Sequence, residues 1–232
     1  GIRSKKLGRL MPRYGELNTL LKEIYQKFTP QFSYDAIYAY FQNLNEKKPI
    51  ITATRRYKSE IETLTDAWQN KWCKASTNGS TSHWVQVICA QKDDPWGSPA
   101  KPENIKVYAC IEDEKAEMTF IESLKHLISH AEHTFGAKIA TYSRADQMCY
   151  WLSANDYKHL DSFFRSYFSE MKTPLPFVAY KGCLGISRDF PGWDDSHNAT
   201  QAHIISDYMK TLNRVEQVDL EDMYNNYIAK WN

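Results

Sequence analysis

Along the first third of the chain, apolar residues return every three or four positions. Leu17, Leu20, Leu21, Ile24 and Phe28 form one helical stripe, and Thr29-Pro30 ends it. Ser33 is placed to cap a second helix carrying Ile37, Tyr38, Phe41 and Leu44. A third run puts Ile61, Leu64, Trp68 and Trp72 on one face. The basic cluster Arg55-Arg56-Tyr57-Lys58 before it reads as a solvated helix start, with anion binding as the alternative. Ser76-Thr77-Asn78-Gly79-Ser80 then reads as a turn-rich linker.

Beyond the linker the period shortens to two. His83–Ala90 and Lys106–Ile111 are rich in aromatic and β-branched residues, as strands are, and a proline-rich loop separates them. A helix follows with Ile121, Leu124, Leu127, Ile128 and Phe135 inward, and Gly136 is the expected C-cap. Ala137–Ser143 and Met148–Ser153 read as a hairpin turning near Ala145-Asp146. Asn155 or Asp156 is expected to cap a helix bearing Leu160, Phe163, Phe164, Tyr167 and Phe168. Phe177–Tyr180 reads as a short strand, Lys181–Arg188 as a glycine-containing loop, and two helices near 198–212 and 220–230 close the chain.

Helices first, then strands interleaved with helices, predict an α+β fold. The expectation is a small, mainly antiparallel sheet with packed helices, preceded by a helical region. Residues 1–78 would form that region and residues 79–232 the α+β domain, the two making one unit. There is no internal repeat and no low-complexity tract.

Composition narrows the function classes. Aromatics are 14% of 232 residues, with 15 Tyr and 7 Trp, which argues for a packed core rather than disorder. The formal charge of +1 gives no footprint for nucleic acid. No apolar run nears the roughly 20 residues that span a bilayer, so no membrane partner is expected. The basic start GIRSKKLGRLMPRYG lacks the apolar centre of a signal peptide and reads as the trimmed edge of a longer chain. Five scattered cysteines, Cys73, Cys89, Cys110, Cys149 and Cys183, suit buried thiols and a reducing compartment better than a disulfide framework.

No Gly-rich phosphate loop follows a strand, and no CxxC or HExxH spacing offers a metal site. His126, His130 and His133 lack further ligands and read as a solvated helix face, so no metal is expected. The informative residues lie on the strands. Lys106 and Tyr108 alternate along one segment, Lys138 and Arg144 flank the next, and Tyr150 sits in the third. These basic and hydroxyl-bearing groups suit an anionic partner. Singly, each also fits a structural role, since strand lysines discourage edge pairing and strand tyrosines pack half-buried.

The strand KVYACI, the segment AKIATYSRADQMCYWL with Arg144-x-Asp146 followed by Tyr150, and PFVAYKGCLGISRDF ahead of SHNATQAHIISDYM occur in a definite order. In that order, from about Ile105 to about Leu212, the chain resembles the Hop-A-type effector family of type III secretion. Relatives of that family also act as lyase partners in class V lanthipeptide biosynthesis. The family in turn is similar to phosphothreonine lyases, which remove phosphate from a phosphorylated side chain by β-elimination.

The resemblance implies roles for particular residues. A base must take the Cα proton, so a lysine must be neutral although its unperturbed pKa is about 10.4. Lys106 matches the lyase pattern Lys-x-His at its first position and would be that base; Tyr108 stands where the pattern has histidine and would be the acid. Lys138, Arg144 and Arg188 would bind phosphate, with Tyr150 or Tyr180 orienting it. The family has Ser-Phe-Gly and then an arginine on the next helix. Here Ser196-His197-Asn198-Ala199 stands instead, and His197 or His203 would substitute.

The reaction needs no cofactor or metal. The implied partners are a phosphorylated protein or precursor peptide, with a kinase partner or a secretion chaperone. The implied location is the cytoplasm, or the cytoplasm of a host cell after secretion. A non-catalytic phosphopeptide-binding effector domain is the alternative, and a cysteine hydrolase a more distant one.

Overall fold

Residues 14–43, 63, 73–81, 84–91, 104–140, 146–168, 179–181, 184–188 and 197–231 are described by the computed structural model of the chain. The fold is α+β, as the change of period predicts. Its helices are α1 (Tyr14–Phe28), α2 (Tyr34–Asn43), α3 (Asp113–His130), α4 (Ala154–Tyr167), α5 (His197–Met209) and α6 (Leu220–Trp231). The strands are β1 (Cys73–Thr81), β2 (Trp84–Gln91), β3 (Asn104–Ala109), β4 (Phe135–Ala140), β5 (Met148–Ser153), β6 (Ala179–Lys181) and β7 (Leu184–Arg188).

Two units divide the chain. One holds residues 1–45, 176–180 and 192–232, and the other holds residues 46–175 and 181–191. The boundary expected at 78 does not coincide with this division, because the C-terminal helices join the N-terminal ones. β6 falls where the chain passes between the units.

In the first unit the expected stripes are the buried ones: Leu17, Leu21 and Ile24 on α1, Ile37 and Phe41 on α2. Ser33 caps α2, its hydroxyl accepting the Ala36 N–H at 3.2 Å. The last helix is tied to the first, since Leu220 donates its N–H to Asn18 Oδ1 at 2.8 Å. Tyr208 joins α5 to the start of α6. Its hydroxyl accepts from Asp219 N at 3.1 Å and donates to Asp222 Oδ2 at 3.0 Å.

In the second unit six strands stand side by side in the order β1-β2-β4-β5-β3-β7, every pairing antiparallel. Alternation sends Val85, Val87, Ala137, Ile139, Met148, Tyr150, Leu152, Ile105 and Val107 to one face, where they pack under α3 and α4. Phe120, Leu124 and Leu127 come down from α3, and Leu160 and Phe164 from α4. Each such side chain contributes about 1.5–3 kcal/mol by leaving water.

Four expectations change. The segment 73–81 is strand β1, paired with β2 from Cys73↔Gln91 to Thr81↔Trp84, and takes in Ser76–Ser80, where a linker was expected. Its Ser, Thr and Asn residues carry no apolar alternation, so the backbone ladder alone marks the strand. Residues 184–188 are strand β7 and not a loop, because β3 offers a free ladder to Gly185–Arg188. Gly136 is a strand residue and caps no helix. Its missing side chain makes room for the Trp151 indole, which a Cβ there would strike. The cap of α4 is Ser153, whose hydroxyl accepts Asp156 N–H at 3.2 Å. Asp156 instead turns its two oxygens to the backbone N–H groups of Glu132 and His133, both at 3.0 Å, and so ties the start of α4 to the turn before β4. The expected helix over 61–72 and the cluster Arg55–Lys58 lie outside the described residues, Thr63 apart.

Two consequences are measurable. Gly136→Ala drives a methyl group into Trp151, and overpacking of this kind costs about 1–3 kcal/mol. Urea unfolding should show that loss, with an unchanged slope.

The second consequence concerns α3. His126 stacks on Phe163 at 3.7 Å and on His130 at 4.1 Å. Burial first, and the neighbouring His130 charge second, hold the His126 pKa below its ordinary value. The stabilisation from neutral His126 is therefore complete above the unfolded value of about 6.5 and is lost as pH falls through the lower folded value. Urea midpoints measured downward from neutral pH should fall more steeply for the native chain than for His126→Phe, which keeps the stack and cannot take a proton.

Candidate functional site

The sheet face away from α3 and α4 carries the groups that the sequence singles out. Across β2, β4, β5, β3 and β7, the register aligns Gln86, Lys138, Cys149, Tyr108 and Gly185 in one row. The next row is Ile88, Gly136, Trp151, Lys106 and Ser187. Cross-strand neighbours of this kind lie about 4.5–5.5 Å apart at Cβ. Lys138, Tyr108 and Lys106 thus share one face, at the centre of the sheet and not at its edge. The edge-protection role open to strand lysines does not apply to them.

Each side chain is held by its surroundings. The Lys138 ammonium stands 4.2 Å from the Trp84 ring centroid, and a cation–π contact there is worth about 0.5–2 kcal/mol. Trp151 lies over Gly136 in the row of Lys106. Tyr108 and Cys149 are buried, whereas Lys106 and Lys138 are half-exposed, so the cations reach solvent above a closed floor. Burial pushes the Cys149 thiol up. Lys138 and Lys106 and a hydrogen bond from Tyr108 pull it down, and Asp146 adds to the upward push. These five residues therefore form one electrostatic group.

Gln147 fixes where that group begins. Fully buried, it accepts the Ile111 N–H at 3.0 Å and donates to Ile111 O and Asp113 Oδ1, both at 3.1 Å. This clamp joins the exit of β3 to the start of β5, and so sets Asp146 and Cys149 against Tyr108. The sequence reading gave Gln147 and Cys149 no place in the site, and named Asp146 only within the Arg144-x-Asp146 motif. An in-register partner for a strand residue is invisible until the pairing is known.

Tyr150 corrects an expectation. It lies on the opposite face, fully buried among Phe120, Phe164 and Phe168, with ring centroids 5.2–5.9 Å away. Its hydroxyl is 2.6 Å from Ser123 Oγ on α3. Burial, eased only in part by Ser123, keeps the phenol protonated. It is a core tyrosine with a satisfied hydroxyl and does not face the lysines.

The other expected residues fall elsewhere. Arg144 lies outside the described residues, as do the side chains of Tyr180 and Arg188. Arg188 is paired with Ile105 in the ladder. His203 belongs to the first unit, where its ring stacks on Tyr34 at 3.8 Å.

One grouping among the described residues has metal-ligand spacing: Glu132, His133 and Asp156. Both Asp156 oxygens already accept backbone N–H groups, so this set serves the turn before β4. The stacked rings of His126 and His130 present faces to each other and not converging lone pairs.

No family model matches the chain, and no curated protein matches it by sequence. Solved structures do. The effector protein from Pseudomonas syringae pv. syringae strain 61 superposes with a TM-score of 0.66 over 96% of this chain and 95% of its own, at 11% identity. The effector protein from Pseudomonas syringae pv. tomato strain DC3000 gives 0.58 over 87% and 88%, at 12% identity. The chain shares their fold. The likeness expected over residues 105–212 therefore extends, as a fold, to nearly the whole chain.

Tyr150→Phe separates core from site. It removes the bond to Ser123 and should cost about 0.5–1.5 kcal/mol of unfolding free energy. Calorimetric titration with inorganic phosphate should give the same result for the native chain and the variant.

Proposed function

We propose that the sheet face away from α3 and α4 binds a phosphorylated side chain of a protein or peptide and eliminates its phosphate, as an effector acting on phosphoserine or phosphothreonine. The observation that carries this reading is the row structure. Lys106, Tyr108 and Lys138 share one face above a buried floor, although they come from two strands, β3 and β4, with β5 between them. Two lysines on one face suit a phosphate dianion. The fold shared with bacterial effectors supports the effector role, and Lys106 on β3, at the first position of the Lys-x-His pattern, supports the chemistry.

In this reading Lys106 takes the Cα proton, and the electron pair left at Cα forms the new double bond as the Cβ–O bond breaks. Tyr108 gives the departing phosphate a proton, and Lys138 holds its charge. Arg144 and Arg188 remain the further phosphate ligands implied by the resemblance. No metal or cofactor enters the step. A class V lanthipeptide lyase would run the same step on a precursor peptide.

One observation favours a second reading. Tyr108 stands where the lyase pattern has histidine, and its hydroxyl is a weaker acid at neutral pH. A face that binds a phosphopeptide without turning it over would keep the lysines and need no acid.

Mass spectrometry of phosphothreonine and phosphoserine peptides incubated with the protein separates the two. A dehydrated residue marks elimination, a free hydroxyl marks hydrolysis, and an unchanged peptide that the protein still binds by calorimetry marks binding alone. Lys106→Arg should keep phosphopeptide affinity and abolish elimination, because a guanidinium stays protonated. Lys138→Ala should weaken binding by about 1.5–3 kcal/mol, the worth of one charge-assisted hydrogen bond. An active Lys106→Arg protein rules out the base assignment.

A further inference from the structure

Cys149 occupies the middle strand of its row, between Lys138 on β4 and Tyr108 on β3. It is 2% exposed and forms no disulfide. A buried cysteine is commonly a small hydrophobe among hydrophobes. On the other face Cys89 is of that kind, set in the apolar core. The surroundings of Cys149 differ: Tyr108 stands directly opposite it on β3 and Lys138 directly opposite it on β4, and both, with Lys106 and Asp146, act on its thiol.

Position matters most for a tyrosine. Its hydroxyl sits at the end of a long rigid ring, so a small rotation near the backbone carries the oxygen well away from a substrate. A partner fixed in the neighbouring strand removes that freedom. Sulfur is a weak partner, so it orients the hydroxyl without holding it as a carboxylate would.

We propose that Cys149 is a positioning residue of this site, its sulfur fixing the Tyr108 hydroxyl beside Lys106 and Lys138. The inference rests on the reading of Tyr108 as proton donor, and goes beyond it by assigning a residue that touches no substrate.

Cys149→Ala, Cys149→Val and Cys149→Ser in the whole chain test it, each checked for native circular dichroism. The probe is a phosphothreonine peptide that the native protein turns over. Ala and Val should lower kcat about 10–100-fold at unchanged KM, as displaced catalytic groups do. Ser, which restores a hydrogen-bonding atom, should stay within about three-fold of the native kcat. In protein labelled with 13C at tyrosine, the Tyr108 Cζ resonance should move in Ala and Val and return in Ser.

An unchanged kcat with an unmoved resonance in Val overturns the proposal. So does an equal loss in all three variants, which marks packing alone. Should Ala fail to fold, Val and Ser carry the same comparison. If the native protein eliminates phosphate from no peptide, the lyase reading falls, and the resonance alone decides. Movement in Val with return in Ser then upholds the Cys149–Tyr108 coupling, and no movement ends it.

Discussion

The period of two along β3, β4 and β5 is the constraint on which the second unit depends. Each strand must give one set of side chains to α3 and α4, and the same geometry turns the other set away. Val107, Ile105 and Ala109 therefore oblige Lys106 and Tyr108 to share the remaining face. On β4, Ala137 and Ile139 do the same for Lys138, and on β5 Met148 and Tyr150 do it for Cys149. A slip of one residue in any of these pairings would send a lysine under the helices. The hydrophobic core thus holds the candidate site in register.

Several small locks protect that register. Gln147 joins β5 to the exit of β3, and Gly136 accepts Trp151 across the β4–β5 ladder. Asp156 and Ser153 fix the corner where β5 becomes α4. Tyr150 does the same through the core, reaching Ser123 on α3. Each of these residues limits how far the strands that carry the lysines can shift.

Much of the fold was legible in the sequence, and the reasons are specific. The stripes of α1 and α2 and the strands 105–109, 137–140 and 148–153 announced themselves because burial selects apolar residues at their own period. β1 did not, because a strand of Ser, Thr and Asn carries no such signal and is specified by its ladder with β2. The site was half legible. Lys106, Tyr108 and Lys138 are unusual residues for central strands and stood out. Tyr150 stood out equally but serves the core, since the sequence says that a tyrosine alternates and not to which face. Cys149 looked like any small apolar residue until its row neighbours were known.

The bond from Leu220 N–H to Asn18 Oδ1 joins positions 202 residues apart. During synthesis α1 emerges long before its partner at the head of α6. The sheet unit has all its strands once residue 188 has appeared, well before that. Closing so long a loop costs entropy that grows only slowly with its length, but it lengthens the search. The helical unit can therefore be completed only after the strands of the sheet unit are available.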